Sequence, residues 1–332
     1  MFNHRIEPDI LPNTLINLVF SDKFNQIINH NTLPKNLTYI RFGWCFDQNI
    51  GPNILPPNLI TLIFGYMFNH KIGSRDLPLN LKTLILGYEF NQKIDPYSLP
   101  DTLTTLTFGW NFDQKLELNS LPDNIKNLTF RGEFNQFIEC GILPKKLKTL
   151  IFGEKFDNEL MPGTLSKNLS SIEFGYNFNQ TIEPNCLSKK LSTLKFGCEF
   201  NQIIGFHNLP ENLENLTLGF KFNQNLSNIL EWIPCINFEL DYMYYHTYPI
   251  NDLTLLNSIP RNFNIKIYVH ENIFAENIRI KWPIHVADYE CTTWSNIYEI
   301  FDEYTHPIYG DITVLINKEL YEPYSHAKSA RN

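Results

Sequence analysis

No stretch of the 332 residues approaches the roughly 20 consecutive apolar side chains that a membrane-crossing helix requires. The opening segment, MFNHRIEPDILP, also lacks the apolar core of a secretory signal, so the cytoplasm is the expected compartment. Positive charge is scarce. The 27 Lys and Arg are outnumbered by 35 Asp and Glu, for a formal net charge of −8. Phosphate backbones and anionic lipid surfaces select basic proteins, so neither nucleic acid nor a membrane is expected as the main partner. Lys145-Lys146 and Lys189-Lys190 are local basic spots within that balance.

Paired cysteines are missing too. Cys45, Cys140, Cys186, Cys198, Cys235 and Cys291 show no C-x-x-C spacing, which leaves no sequence basis for a disulfide framework or a zinc site. They are expected as free thiols in a reducing compartment. No G-x-S-x-G, G-x-x-x-x-G-K-S/T or G-x-G-x-x-G occurs, so no enzymatic activity and no cofactor are expected. His246, His270, His285, His306 and His326 crowd the C-terminal third without the i, i+4 spacing or neighbouring cysteines of a metal site. Asp302, Glu303 and His306 are expected on the exposed polar end of a helix.

What the chain has instead is repetition. A Leu-Pro pair begins at Leu11, Leu33, Leu55, Leu77, Leu99, Leu121 and Leu143, becomes Leu-Ser at Leu165 and Leu187, and returns as Leu-Pro at Leu209. Every step is 22 residues. A phenylalanine keeps the same period from Phe2 and Phe24 through Phe200 and Phe222. A fixed period of this length marks a solenoid, in which each unit packs only on its neighbours.

One unit shows the local structure. In LPPNLITLIFGYMFNHKI (55–72), Thr61 and Ile63 alternate with Leu62 and Phe64, a period of two that marks a short strand. Leu62 and Phe64 face inward with Leu55, Leu59, Phe68 and Ile72. Strands that recur every 22 residues in one direction pair in parallel. The return path is too short for a helix and is interrupted by Pro56, so it is expected as extended or single-turn 3₁₀ pieces. Glycine follows the strand at 43, 65, 87, 109, 153, 175, 197 and 219, implying either positive φ or close approach of coils. Arg131-Gly132 implies a bend shifted by one residue there. The column Asn25, Asp47, Asn69, Asn91, Asp113, Asn135 and Asp157 mixes amide and carboxylate, so it must serve chiefly as an acceptor, most simply for backbone N–H groups in the turn.

The pattern Leu-Pro-x-Asn-Leu-x-x-Leu-x-Phe-Gly-x-x-Phe-Asn-Gln-x-Ile resembles the FNIP repeat, most fully in residues 55–72 and in LSKNLSSIEFGYNFNQTI (165–182). FNIP repeats are similar to leucine-rich repeats, whose strand consensus Leu37-x-x-Ile40-x-Phe42 matches. The resemblance covers residues 1–227. It implies a leucine-rich-repeat-like horseshoe that binds proteins, of a type found in social amoebae and in giant viruses of amoebae, with the host cytoplasm as its place if viral. Family members often carry an F-box ahead of the repeats. Here Met1-Phe2-Asn3 already falls within a repeat, so the expectation is a chain without one, and the ligase-adaptor role is not carried over. The first strand, Leu15–Phe20, is then expected as an uncapped edge with Ile16 and Val19 outward, open to self-association.

The candidate binding surface is the strand face and its rim. Tyr39 and Arg41 follow Asn17 and Val19 in the two outward columns of the strands, where Thr, a good strand former, recurs. The column after glycine reads Asp22, Trp44, Tyr66, Tyr88, Trp110, Gly132, Glu154, Tyr176, Cys198, Phe220. Its four consecutive aromatics, Trp44, Tyr66, Tyr88 and Trp110, are either rim packing or an anchor for a protein partner. A carbohydrate is the alternative ligand.

After about residue 227 the period fails. EWIPCINFEL (231–240) and NSIPRNFNIKIYV (257–269) look like decayed coils. IRIKWPIHV (278–286) and ITVLI (312–316) are expected strands. TTWSNIYEIFDEY (292–304) puts Trp294, Ile297, Tyr298 and Phe301 on one helical face. Residues 228–332 are thus expected to form degenerate coils and a small α/β cap on a 1–227 solenoid. The whole is expected to be a non-enzymatic protein-interaction scaffold whose partner the sequence does not name.

Overall fold

The computed structural model describes residues 2–205, 207–219, 221–222 and 224, and beyond them the backbone of four further strands. Ten parallel strands fall one per coil: β1 Asn17–Val19, β2 Tyr39–Arg41, β3 Thr61–Ile63, β4 Thr83–Ile85, β5 Thr105–Thr107, β6 Asn127–Thr129, β7 Thr149–Ile151, β8 Ser171–Glu173, β9 Thr193–Lys195 and β10 Asn215–Gly219. Each pairs with the next at a 22-residue offset, as in Thr61↔Thr83 and Leu62↔Leu84. The parallel sheet continues through β11 (Asn237–Tyr242), β12 (Asn264–His270) and β14 (Gly310–Asn317), and β13 (Thr305–His306) pairs antiparallel with β14. β11 and β12 lie in the two decayed coils, and β14 contains the expected strand 312–316. The expected helix over 292–304 and strand over 278–286 lie outside the described residues, as does Phe220.

No helix occurs among the described residues, so none there is long and apolar enough to cross a membrane. The 3₁₀ pieces expected on the return path are instead β-turns, three to a coil. Pro56 O accepts from Leu59 N, and Gly65 O accepts from Phe68 N. The third turn is closed in the next coils by Asp76 N on Gly73 O and Ser98 N on Asp95 O. Its third residue has positive φ in coil after coil: Asp9, Asn31, Asn53, Arg75, Tyr97, Asn119, Gly141, Gly163 and Asn185. The residue before it is proline at 8, 52, 96, 162 and 184. Proline followed by Asn, Asp or Gly is the signature of a type II turn, which needs φ > 0 at its third position. Arg75 and Tyr97 adopt the conformation without that advantage.

The inward residues are buried as their spacing implies: Leu59 and Leu62 are fully enclosed, and Leu55, Phe64, Phe68 and Ile72 nearly so. The phenylalanines form a continuous stack from Phe2 to Phe222, with successive centroids 6.0–6.4 Å apart and rings within 4–17° of parallel. In most coils a second aromatic packs on it, as Phe64 does on Phe68 at 3.7 Å, and Leu86 and Leu218 take that place in two others.

The glycine column is explained by close approach. None of the eight has positive φ, and a Cβ on any of them would lie 1.7–2.3 Å from the carbonyl oxygen of the column residue one coil earlier. The Asn/Asp column is an acceptor ladder, but between coils rather than within a turn. Each side-chain Oδ1 accepts the backbone N–H of its counterpart in the next coil, at 2.8–3.2 Å, from Asn3 to Asn201 without a break. Most also accept the side-chain amide of the following Gln, as Asn91 does from Gln114. Nothing in these bonds requires the column residue to donate through its side chain, which is why Asp substitutes freely for Asn.

Two consequences are measurable by chemical denaturation. Gly87→Ala drives a methyl into Gly65 O, which belongs to the backbone and has no room to yield, and costs at least about 2 kcal/mol. Gly51→Ala, whose Cβ meets nothing within 4 Å, stays within about 1 kcal/mol of the parent. Equal midpoints for the two variants would remove close approach as the reason for the column. Asn91→Leu leaves the Asp113 N–H and the Gln114 amide without their acceptor, at a cost of about 1–3 kcal/mol. Asn91→Asp keeps the acceptor and changes stability by under about 1 kcal/mol.

Candidate functional site: an aromatic stack and the groove beside it

After most strands the chain passes an inward aromatic or leucine, then glycine (Ser21 and Arg131 stand there after β1 and β6), and throws the next side chain out at the rim of the sheet. Parallel strands hold equivalent positions about 4.8 Å apart, and flat rings at that spacing meet in offset stacks. Trp44, Tyr66, Tyr88 and Trp110 do so. Their successive centroids are 4.1, 4.4 and 5.6 Å apart, with the rings 4°, 9° and 2° from parallel. Trp44, at the N-terminal end, is 54% exposed, and the other three are half-buried. Ring faces are thus spent largely on one another, and the edges remain available. Burial among the rings raises the Tyr66 phenol above its usual range, with smaller contributions from Tyr88 and Glu89.

At the far end Trp110 lies against Gly132. A Cβ there would sit 2.5 Å from the indole, and φ is +26°. Glycine at this position makes room for the tryptophan. The bend is not displaced by Arg131. Glu133 N donates to Trp110 O and Lys155 N to Gly132 O, both at 2.9 Å, as Glu89 N does to Tyr66 O. Arg131 therefore sits in the glycine column in register, and the expectation of a one-residue shift is corrected.

Where the aromatic column lapses, a groove of about 380 Å³ opens, bounded by Trp110, Arg131, Glu154, Tyr176 and Cys198 with Phe152 and Phe174 beneath. Arg131 is exposed and has no ion pair among the described residues. Tyr176 is held protonated up to about 12, first by burial and then by its hydrogen bond with Cys198. Tyr39 and Arg41 flank the buried Ile40 on β2, Tyr39 half-buried and Arg41 exposed. They share a coil with Trp44, but neither joins the ring stack. The groove was not legible in the sequence, although the run from Arg131 through Gly132 to Glu154 is a lapse of two columns side by side and marks the place.

Among the described residues no group of His, Cys, Asp and Glu is arranged to hold a metal ion. The four described cysteines, Cys45, Cys140, Cys186 and Cys198, are free thiols.

Parallel three-residue strands on 22-residue coils, with leucine and phenylalanine inside, define a leucine-rich-repeat-like solenoid. The FNIP repeat profile matches residues 2–45, 24–67, 46–74, 68–111, 112–155 and 156–199, and the chain belongs to the FNIP repeat family. Among solved structures it is similar to CroV588, described as a novel circular LRR protein, with a TM-score of 0.66 and 32% identity over 80% of this chain and 45% of that one. The chain thus spans less than half the length of that protein. No curated protein matches.

The protonation of Tyr176 gives a direct test of the groove wall. An unfolded tyrosine ionises near 10, so the folded state is favoured below pH 10 and loses that advantage as pH rises towards about 12. In alkaline absorbance titration, the component missing from Tyr176→Phe should have its midpoint near 12. A midpoint near 10 would mean that the hydroxyl stands in open solvent.

Proposed function

We propose that this protein is a cytoplasmic protein-interaction scaffold that engages its partner through the strand face and the aromatic rim. The observation that carries this reading is the ring stack leading into the groove at Trp110. A column that served packing alone would persist along the array, because every coil has the same packing problem. Instead four aromatics run together and stop where a groove begins. Trp and Tyr edges beside an apolar groove with an unpaired guanidinium have the composition of an interaction hot spot. Tyr39 and Arg41 extend the surface across β2. Self-association, where it occurs, belongs on β1, whose edge carries the exposed Ile16 and Val19.

A carbohydrate would use the same residues differently. Sugars stack on ring faces, and in this stack the widely open one belongs to Trp44. Edge contacts favour a protein. Free thiols at four described positions accord with a reducing compartment.

The test is the double substitution Trp44→Ala with Trp110→Ala, measured against a partner isolated from cytosol on the immobilised protein. Affinity is expected to fall by about 2 kcal/mol or more, as for hot-spot residues. Trp44→Ala alone, at an exposed end of the stack, should move stability by under about 1 kcal/mol. Unchanged affinity with a large fall in the denaturation midpoint would leave the stack as rim packing. Binding on a glycan array with no protein partner would favour the carbohydrate.

A further inference from the structure

Six of the sixteen described lysines are paired with a carboxylate across coils. Lys71 meets Asp95, Lys93 meets Glu117, Lys115 meets Glu139, Lys145 meets Asp123, Lys195 meets Glu173 and Lys221 meets Glu199, all at 2.6–3.0 Å. Of the ten described lysines that make no such pair, four gather in one place. A shallow groove of about 400 Å³ on the side where the chain enters the strands is lined by Lys126, Lys146, Lys148, Asn168, Ser170 and Lys190. Among the described residues none of its four lysines forms an ion pair with a carboxylate, although Asp123 attracts Lys146 more weakly. Lys146 and Lys190 donate to the side-chain oxygens of Asn124 and Asn168, at 2.7 and 2.9 Å. The ammonium groups of Lys126 and Lys148, immediately before β6 and β7, make no hydrogen bond or ion pair among the described residues. The nearby Asp123 is already committed: its hydrogen bond with Lys145 holds its carboxyl below the usual range.

Like charges on neighbouring coils repel, and packing does not demand them, since the same column holds Ile60, Thr104 and Ser192 elsewhere. A chain of net charge −8 that gathers four ammonium groups outside any ion pair around one groove has built a local attraction for anions. The groove is also bounded. Asp101 stands one coil before it, and Glu211 and Glu214 stand one coil after. Four coils at parallel-strand spacing span roughly 15 Å, the length of four or five extended residues. A long polyanion running along the array would meet carboxylates at both ends. A short acidic segment would not, and the Asn168 and Ser170 side chains on the groove's wall can meet its peptide groups.

We propose that this groove binds a short acidic stretch of a protein partner, with Lys126 and Lys148 as the charges free to receive its carboxylates. The site is separate from the aromatic rim, so its test does not depend on that surface.

Fluorescence anisotropy with fluorescein-labelled hexaglutamate measures the binding directly, with labelled hexaglutamine and a single-stranded oligothymidylate as comparison probes. Hexaglutamate should bind at low ionic strength and weaken as salt rises, because exposed charges are screened within about 8 Å at physiological ionic strength. Lys126→Gln with Lys148→Gln should weaken it by about ten-fold or more, the scale of losing two charge contacts. The thermal midpoint should hold, since both ammonium groups lack partners in the fold. Trp44→Ala with Trp110→Ala should leave hexaglutamate affinity unchanged, so failure of the rim and failure of the groove read separately. Hexaglutamate binding that is absent, or unaltered in the lysine variant, would overturn the proposal. Tighter binding of oligothymidylate, lost in that variant, would replace the acidic peptide with nucleic acid.

Discussion

Adjacent coils touch backbone to backbone at the glycine column, so closely that a Cβ on any of its eight glycines would overlap the carbonyl oxygen of the coil before. That approach sets the rest of the architecture. It holds each coil in one register against the next, and the other coil-to-coil contacts take the same step. The strands pair at 22 residues, the phenylalanines stack at 22 residues, and the Asn/Asp oxygens reach the N–H groups 22 residues on. A single inserted residue would break all these ladders at once. This is why the period runs through ten coils without a gap, where an ordinary surface loop would tolerate length changes.

The polar ladder solves a problem that short strands create. A three-residue strand satisfies few backbone groups, and a helix-free return path must find partners for the others. The Asn/Asp oxygen takes one N–H per coil at the point where the main chain has turned away from the sheet. The three turns take others, through Pro56 O, Gly65 O and Gly73 O and their equivalents. Stability is thus shared among neighbours, as expected for a one-dimensional array.

The parts of the fold that recur by residue type were legible in the sequence. The Leu and Phe columns, the parallel strand and the absence of a helix in the coil all followed from spacing. The acceptor role of the Asn column followed from its tolerance of Asp, but its target did not. A side chain and an N–H 22 residues apart are neighbours only once the coils are stacked. For glycine, sequence left two physical causes open, and only coordinates could separate positive φ from close approach. The third turn is masked in the sequence because its positive-φ column mixes Asn, Asp and Gly with Arg75 and Tyr97. The prolines at 8, 52, 96, 162 and 184 carried the signal. The aromatic stack was visible as a column. The groove beside it and the lysine groove were not, because each gathers side chains from different columns and different coils.

In such an array, conformity and function pull apart. A column under packing constraint must repeat, so its residues report on the fold and on little else. Departures are informative because the lattice of neighbouring coils would otherwise have kept them out. Several of them gather here, apart from Ser21, Asp22 and Cys198 in other coils. Arg131 in the glycine column, Gly132 and Glu154 in the aromatic column, and Lys126 and Lys148, whose ammonium groups are unpaired among the described residues, all lie in the coils of β6 and β7. The two grooves they help line lie over the same coils, one where the chain enters the strands and one where it leaves them. A partner lying across these three-residue strands would meet ammonium groups at one margin and aromatic edges with Arg131 at the other. The uniform coils on either side then serve to hold those two margins at a fixed separation.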